Sequence, residues 1–285
     1  MKKLIPLLLL ALLGILTLTA CGGKAAPTDL LDEIVKRGSI RVSTDPNYEP
    51  QSFLDGNGNY VGFDIDVATE IAKRLGVEIE FVTPNWDLIT AGNWGGQWDM
   101  SVGSMTITKD RQQVLDFANP AYYYSPAQFA AATSANITSL DQINGQAVCM
   151  GSATTYESWL KGNDLGLSEG SYFAEPPTGT SVVTLPTDNE CMQALQAGRT
   201  EFSVVLTSKT VVDAAIANGI PVIAVGKPVY AEQLAAAFDK NSQLSNASLV
   251  AKVSEILQAM HDDGTLKGFS EKWFDGVDLT VDPTK

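Results

Sequence analysis

The chain has 285 residues, of which 45% are apolar and 18% charged, enough for two packed domains and unlike a disordered or fibrous protein. Its 19 basic and 33 acidic residues give a formal charge of −14, which argues against a nucleic-acid binder, because such proteins neutralise phosphates with Lys and Arg. The single histidine, His261, sits beside Asp262 and Asp263 near a helix end. No Gly-x-Ser-x-Gly, phosphate loop or metal-spaced cluster accompanies it, so neither catalysis nor a metal or other cofactor is expected.

Lys2 and Lys3 precede an uncharged apolar run, Leu4 to Leu18, that ends in Leu18-Thr19-Ala20-Cys21-Gly22. A basic start, an apolar centre and small residues at a cut describe an export signal over residues 1–20. A Cys at the cut resembles a bacterial lipoprotein signal, with lipid on the Cys21 thiol. The run is short of the roughly 18 to 20 residues that a membrane span needs. Removing it takes away two lysines and no acids, leaving 17 basic against 33 acidic residues, or −16. Residues 21–28 read as a tether. Cys149 and Cys191 then remain in a compartment that tolerates disulfides. They could pair or be two small buried residues, and the reading leans slightly to the second.

Asp29 to Arg37 has apolar residues at helical spacing and ends at Gly38. Ser39 to Ser43 alternates as a strand and is broken at Thr44-Asp45-Pro46. Asp55-Gly56-Asn57-Gly58-Asn59 reads as a hairpin turn, not a calcium loop, because Tyr60 stands where that loop needs Gly. A helix follows from Asp64, placed as its cap, to Leu75. Its acids Asp64 and Asp66 are explained by the helix dipole. Glu78 to Thr83 is a strand, Trp86 to Ala91 a short helix, and Met100 to Ser104 a strand opening into the polar stretch Gly103-Ser104-Met105-Thr106-Ile107-Thr108-Lys109-Asp110-Arg111. That stretch offers hydroxyls, backbone N–H groups and a planar guanidinium, a set that suits a small carboxylate. Strand–helix alternation argues for an α/β fold with a largely parallel sheet, whose ligands sit beyond the carboxyl ends of strands.

Thr44-Asp45-Pro46-Asn47-Tyr48, Val61-Gly62-Phe63-Asp64-Ile65-Asp66, Trp98-Asp99, and Ser104-Met105-Thr106-Ile107-Thr108 followed by Arg111 are, in order and spacing, similar to the periplasmic amino-acid-binding proteins of ABC importers, solute-binding family 3. The resemblance implies two α/β lobes with mostly parallel mixed sheets and two hinge crossings. The first lobe is then 29–125 and 231–285, and the second is 126–230 with the crossings. Tyr122 to Ala132 and Lys227 to Ala237 would cross between them. Val148 to Tyr156 resembles the family's strand, Gly-Thr-Thr turn and helix, with Ala153 where Gly is usual.

By the same resemblance Arg111 grips a ligand carboxylate, Ser104 and Thr106 add hydrogen bonds to the ligand, and Gly103 belongs to the same site. Thr154 and Thr155 add hydroxyls from the second lobe. Tyr48 and Trp86 would form an aromatic slot suited to a cation, with Asp45 beside it. The family's usual ammonium-binding Asp after the strand that follows Gly198-Arg199 falls here on Leu206 or Thr207. Either Thr207, Ser208 and carbonyls serve, or Asp188 reaches in, or the ligand is no plain α-amino acid. The expectation is a lipid-anchored extracytoplasmic monomer that delivers a polar amino acid, with a lean to cationic ones, to an ABC permease and its ATPase. The rivals are a same-fold arogenate- or prephenate-type dehydratase and a ligand-sensing module.

Overall fold

A computed structural model describes residues 29–283, so the export signal, the tether and Cys21 lie outside the described residues. Asp29 caps α1 (Leu30–Arg37) by accepting the Leu31 N–H at 2.9 Å, and Gly38 ends the helix at φ 81°. After β1 (Ser39–Ser43), the short strands β2 (Asn47–Tyr48), β3 (Ser52–Leu54) and β4 (Tyr60–Val61) form a separate antiparallel sheet. Its hairpin turn is held by the Asp55 carboxylate, which accepts N–H groups from Asn57 and Asn59.

Gly62 caps α2 (Phe63–Leu75), which corrects the placing of Asp64 as the cap. A β-carbon at Gly62 would lie 2.2 Å from the Gln51 carbonyl oxygen, so only glycine lets the two backbones meet. Asp64 instead turns inward, fully buried. The chain continues through β5 (Glu78–Val82), α3 (Trp86–Thr90), β6 (Met100–Thr106), α4 (Arg111–Val114) and β7 (Leu115–Phe117). Strand β6 runs two residues further than its sequence suggests, because Met105 and Thr106 still pair with Ala235 and Leu234.

From β8 (Tyr123–Ala132) the chain enters its second half: β9 (Ala147–Gly151), α5 (Thr155–Leu160), β10 (Ser181–Leu185), α6 (Asp188–Gln196), β11 (Val204–Ser208) and α7 (Lys209–Ala217). It returns along β12 (Val222–Asp239) and closes with α8 (Ala247–Asp262) and α9 (Thr265–Trp273). The sequence reading had no counterpart for α7, although Val211, Val212 and Ala215 are its buried positions.

Nine strands share one sheet in the order β10-β9-β11-β8-β12-β6-β1-β5, with β7 on β12. Pairing is parallel at both ends, β1 with β5 and β6, and β9 with β10 and β11. In the middle β8 and β12 run antiparallel, with Glu232 opposite Ser125 and Leu234 opposite Tyr123. These two long strands are the crossings between two α/β lobes. The first lobe packs Ile40, Val42, Phe63 and Met100 with α8 residues such as Leu257. The second packs Phe129, Val148, Trp159 and Val204.

Cys149 on β9 and Cys191 on α6 form a disulfide, their Cα atoms 5.8 Å apart, which corrects the leaning towards unpaired cysteines. Sequence spacing does not reveal that α6 lies on β9. The bond spans 42 residues, and removing a cross-link of that loop size costs about 2–4 kcal/mol by constraining the unfolded chain less. The Cys149→Ser, Cys191→Ser double variant should therefore melt at clearly lower temperature than the oxidised protein, and wild type under reductant should move the same way; thermal unfolding with and without reductant measures both.

Candidate ligand-binding cleft

Where β6 ends, Lys109 and Asp110 lead into the short helix α4, whose first residue is Arg111. Its guanidinium is buried between the lobes. Nη1 donates to the Thr106 carbonyl at 3.1 Å, Nη2 donates to the Ala153 carbonyl of the second lobe at 3.3 Å, and the Trp86 ring lies 5.4 Å away. A guanidinium carries five N–H donors, so donors remain for a carboxylate. Burial pulls its pKa down to about 10, with the nearby Glu232 charge acting the other way, so it stays cationic at neutral pH. Ala153 holds φ 58°, so the turn keeps the left-handed form that Gly usually supplies, at a cost of about 1–2 kcal/mol.

The cleft leaves about 650 Å³ unfilled by protein atoms, part of it open to solvent. Asp45, Tyr48, Trp86, Gly103, Ser104, Thr106, Arg111, Thr154 and Thr155 all line it, whereas Thr207 does not. Thr207 is fully buried on β11, behind Asp188. The hydroxyl protons of Ser104, Thr106, Thr154 and Thr155 are committed within the protein. Ser104, at φ 54°, donates its N–H to the Tyr122 hydroxyl at 2.8 Å and its Oγ–H to the Asp64 carboxylate at 2.8 Å, with Tyr123 Oη 2.6 Å from the same Oγ. Tyr122 donates to the other Asp64 oxygen at 3.0 Å. Asp64 therefore supports the cleft wall from behind, and burial pushes its pKa up to about 7 against those hydrogen bonds.

Thr154 caps α5 by accepting the Glu157 N–H, and donates to the Gly151 carbonyl at 2.8 Å. Thr106 and Thr155 both donate to Glu232, at 2.7 and 2.5 Å, and Tyr156 donates to its other oxygen at 2.9 Å. The sequence reading missed Glu232. Its signal was there: a lone acid inside the run Val229-Tyr230-Ala231-Glu232-Gln233-Leu234-Ala235-Ala236-Ala237-Phe238, where a buried charge calls for partners.

Asp188, first residue of α6, lines the cleft and accepts the Gly151 N–H at 2.5 Å. Burial raises its pKa to about 7; Gly151 N–H and the Thr207 hydroxyl hold it down, while Glu232 and Asp45 push it further up. Asp45 is likewise raised, first by burial and then by Glu190, against the Asn47 N–H. The seam between the lobes near them is closed by Asn47 Nδ2 donating to Thr187 Oγ1 at 3.3 Å, and elsewhere by Lys109 pairing with Asp164 at 2.8 Å. Three carboxyls and one guanidinium thus line the same cleft. Ser43 Oγ, Thr44 Oγ1 and Trp86 Nε1 also line the cleft, buried and without a hydrogen-bond partner. Unmatched polar atoms at that depth are costly unless a guest or water engages them.

Among the described residues no cluster has metal-binding composition and no helix is long and apolar enough to cross a membrane. Residues 40–276 match the model of the bacterial extracellular solute-binding proteins, family 3, and the chain belongs to that family. It is 28% identical over 276 residues to an L-cystine-binding protein of Escherichia coli (strain K12), covering 95% of this chain and 96% of that one. The lysine/arginine/ornithine-binding periplasmic protein of the same organism is 27% identical over 246 residues, covering 83% and 88%. Among solved structures, an ancestral arginine-binding protein bound to arginine superposes with TM-score 0.71 at 31% identity, covering 84% of this chain and 99% of that one. An ancestral amino-acid-binding protein described as a precursor of cyclohexadienyl dehydratase gives TM-score 0.71 at 33% identity, covering 86% and 99%.

Asp64 and Asp188 have values near 7 in the folded protein against an ordinary 3.8. The folded state thus holds protons that the unfolded chain has released, and their contribution to stability is lost as pH rises through about 7. The unliganded protein should melt higher at pH 5.5 than at pH 8, and Asp188→Asn should flatten that slope; thermal scans across the range decide it.

Proposed function

We propose that this protein is an extracytoplasmic receptor, lipid-anchored at Cys21, that captures a polar amino acid, preferentially a cationic one, by hinge closure and delivers it to an ABC permease and ATPase. The observation that carries the reading is Arg111: a buried guanidinium with donors to spare, reaching both lobes, in a cleft that three acids also line. In this reading the ligand carboxylate docks on Arg111, and its ammonium faces Asp188, which takes the place of the carboxylate lacking at Thr207. Asp45 accommodates further positive charge. Residues 29–125 with 231–285 form one jaw and 126–230 the other, with Tyr48 and Trp86 on the first jaw and Thr154 and Thr155 on the second. Ligand bound to both jaws favours the closed state and shifts the population towards it.

The excess of carboxyls over guanidinium supports the cationic preference, as do relatives named for lysine, arginine and ornithine. Trp86 qualifies the aromatic slot, since its ring faces Arg111 itself and steadies the guanidinium. Turnover is not part of this reading.

Calorimetric titration tests it: arginine or lysine should bind more tightly than glutamate, and the reverse order would end the cationic preference. Arg111→Ala should weaken binding by about 2–5 kcal/mol, roughly 30-fold to several-thousand-fold, as expected when one partner of a buried charge pair is lost. Binding retained within a few-fold would place the ligand elsewhere.

A further inference from the structure

We propose that Glu232 couples closure of the lobes to formation of the ligand site: it is a hinge carboxylate on which both lobes seat hydroxyls from the walls of the cleft. Strand β12 pairs with β8 of the second lobe at Val222 to Val225 and with β6 of the first lobe at Leu234 to Ala237, and Glu232 lies between those stretches. Its side chain is 1% exposed. A carboxylate at that depth is tolerated only with its lone pairs engaged. Here Thr106 of the first lobe reaches Oε1 at 2.7 Å, while Thr155 and Tyr156 of the second reach Oε1 and Oε2 at 2.5 and 2.9 Å. Each hydroxyl has one proton to give, and in each case it goes to Glu232. These groups are therefore oriented by the hinge acid, and they leave the carboxylate-binding role to Arg111.

The set is complete only when the lobes are together, because rotation of the second lobe about the crossings withdraws Thr155 and Tyr156 from an acceptor that Thr106 still holds. A second chain on the same face repeats the pattern. Ser125, directly opposite Glu232 and so on the same side of the sheet, lies 2.6 Å from Ser208 Oγ of the second lobe. Ser208 Oγ is 2.7 Å from Thr210 Oγ1, which accepts from Gln51 Nε2 of the first lobe at 2.5 Å. The cleft floor is thus a polar seat for both lobes, with Glu232 its charged member. Glutamine in its place would offer one acceptor oxygen and two N–H donors facing hydroxyl protons, and could not accept all three bonds.

The role is one of positioning, and its link to ligand affinity rests on the amino-acid reading above. Interlobe distances between spin labels at the exposed Asp87 and Asn163 test it in wild type, Glu232→Gln and Tyr156→Phe, with and without arginine. Glu232→Gln should lengthen the unliganded distances and require at least tenfold more arginine to reach the short distance; Tyr156→Phe should do the same to a smaller degree. Wild-type distances and an arginine dependence within twofold in Glu232→Gln, even with a lowered melting temperature, overturn the proposal. Should wild type respond to no common amino acid, the ligand reading fails, and the unliganded comparison alone decides Glu232. If Glu232→Gln does not fold, Thr155→Val and Tyr156→Phe, each lacking one donor, carry the comparison.

Discussion

A carboxylate buried in a strand that runs from one lobe into the other is the constraint on which this structure turns. Removing such a group from water costs several kcal/mol unless every oxygen is engaged, and Glu232 meets that cost by drawing hydroxyls from both sides of the cleft. The antiparallel pair of crossing strands is therefore more than a connection. It supplies the floor against which β6 of one lobe and the start of α5 of the other are registered. Asp64 plays a parallel part within the first lobe, fixing Ser104 in a left-handed conformation that a serine adopts only under duress.

Above that floor the electrostatics are unbalanced in a way that a zwitterion or a cation relieves. Arg111 is desolvated yet cationic, supported by the Trp86 face and by two carbonyls from opposite lobes. Asp188 and Asp45 have raised pKa values because each is buried near other acids. In the proposed receptor an ammonium between them favours their ionised forms, and a guest of that charge stabilises the closed arrangement.

Much of this was legible in the residues. Local signals carried the helix that ends at Gly38 and the hairpin at Asp55, because those depend on neighbours a few positions away. The polar stretch ending at Arg111 was legible for its unusual mixture of hydroxyls and a guanidinium. What escaped depends on long-range packing. Asp64 looked like a helix cap until Gly62 took that position and Tyr122, 58 residues on, took its carboxylate. Glu232 meets partners more than 70 residues away, and the pairing of Cys149 with Cys191 needed α6 to lie on β9. Thr207 illustrates the converse: position in the chain pointed to it, but space gives the cleft to Asp188 in front of it.

The disulfide has a consequence for how the second lobe behaves as a jaw. Cys149 lies two residues before Gly151, whose N–H meets Asp188, and Cys191 lies three residues after Asp188, so one covalent link and one hydrogen bond fasten the same strand to the same helix turn. Asp188, the acid that faces the guest in the proposed receptor, is therefore stiffened when the chain folds, and little of its freedom is left to be surrendered at the encounter. In the proposed receptor such a jaw swings as a rigid plate, and selectivity among guests becomes a matter of how far the plate travels before its fixed charge meets theirs.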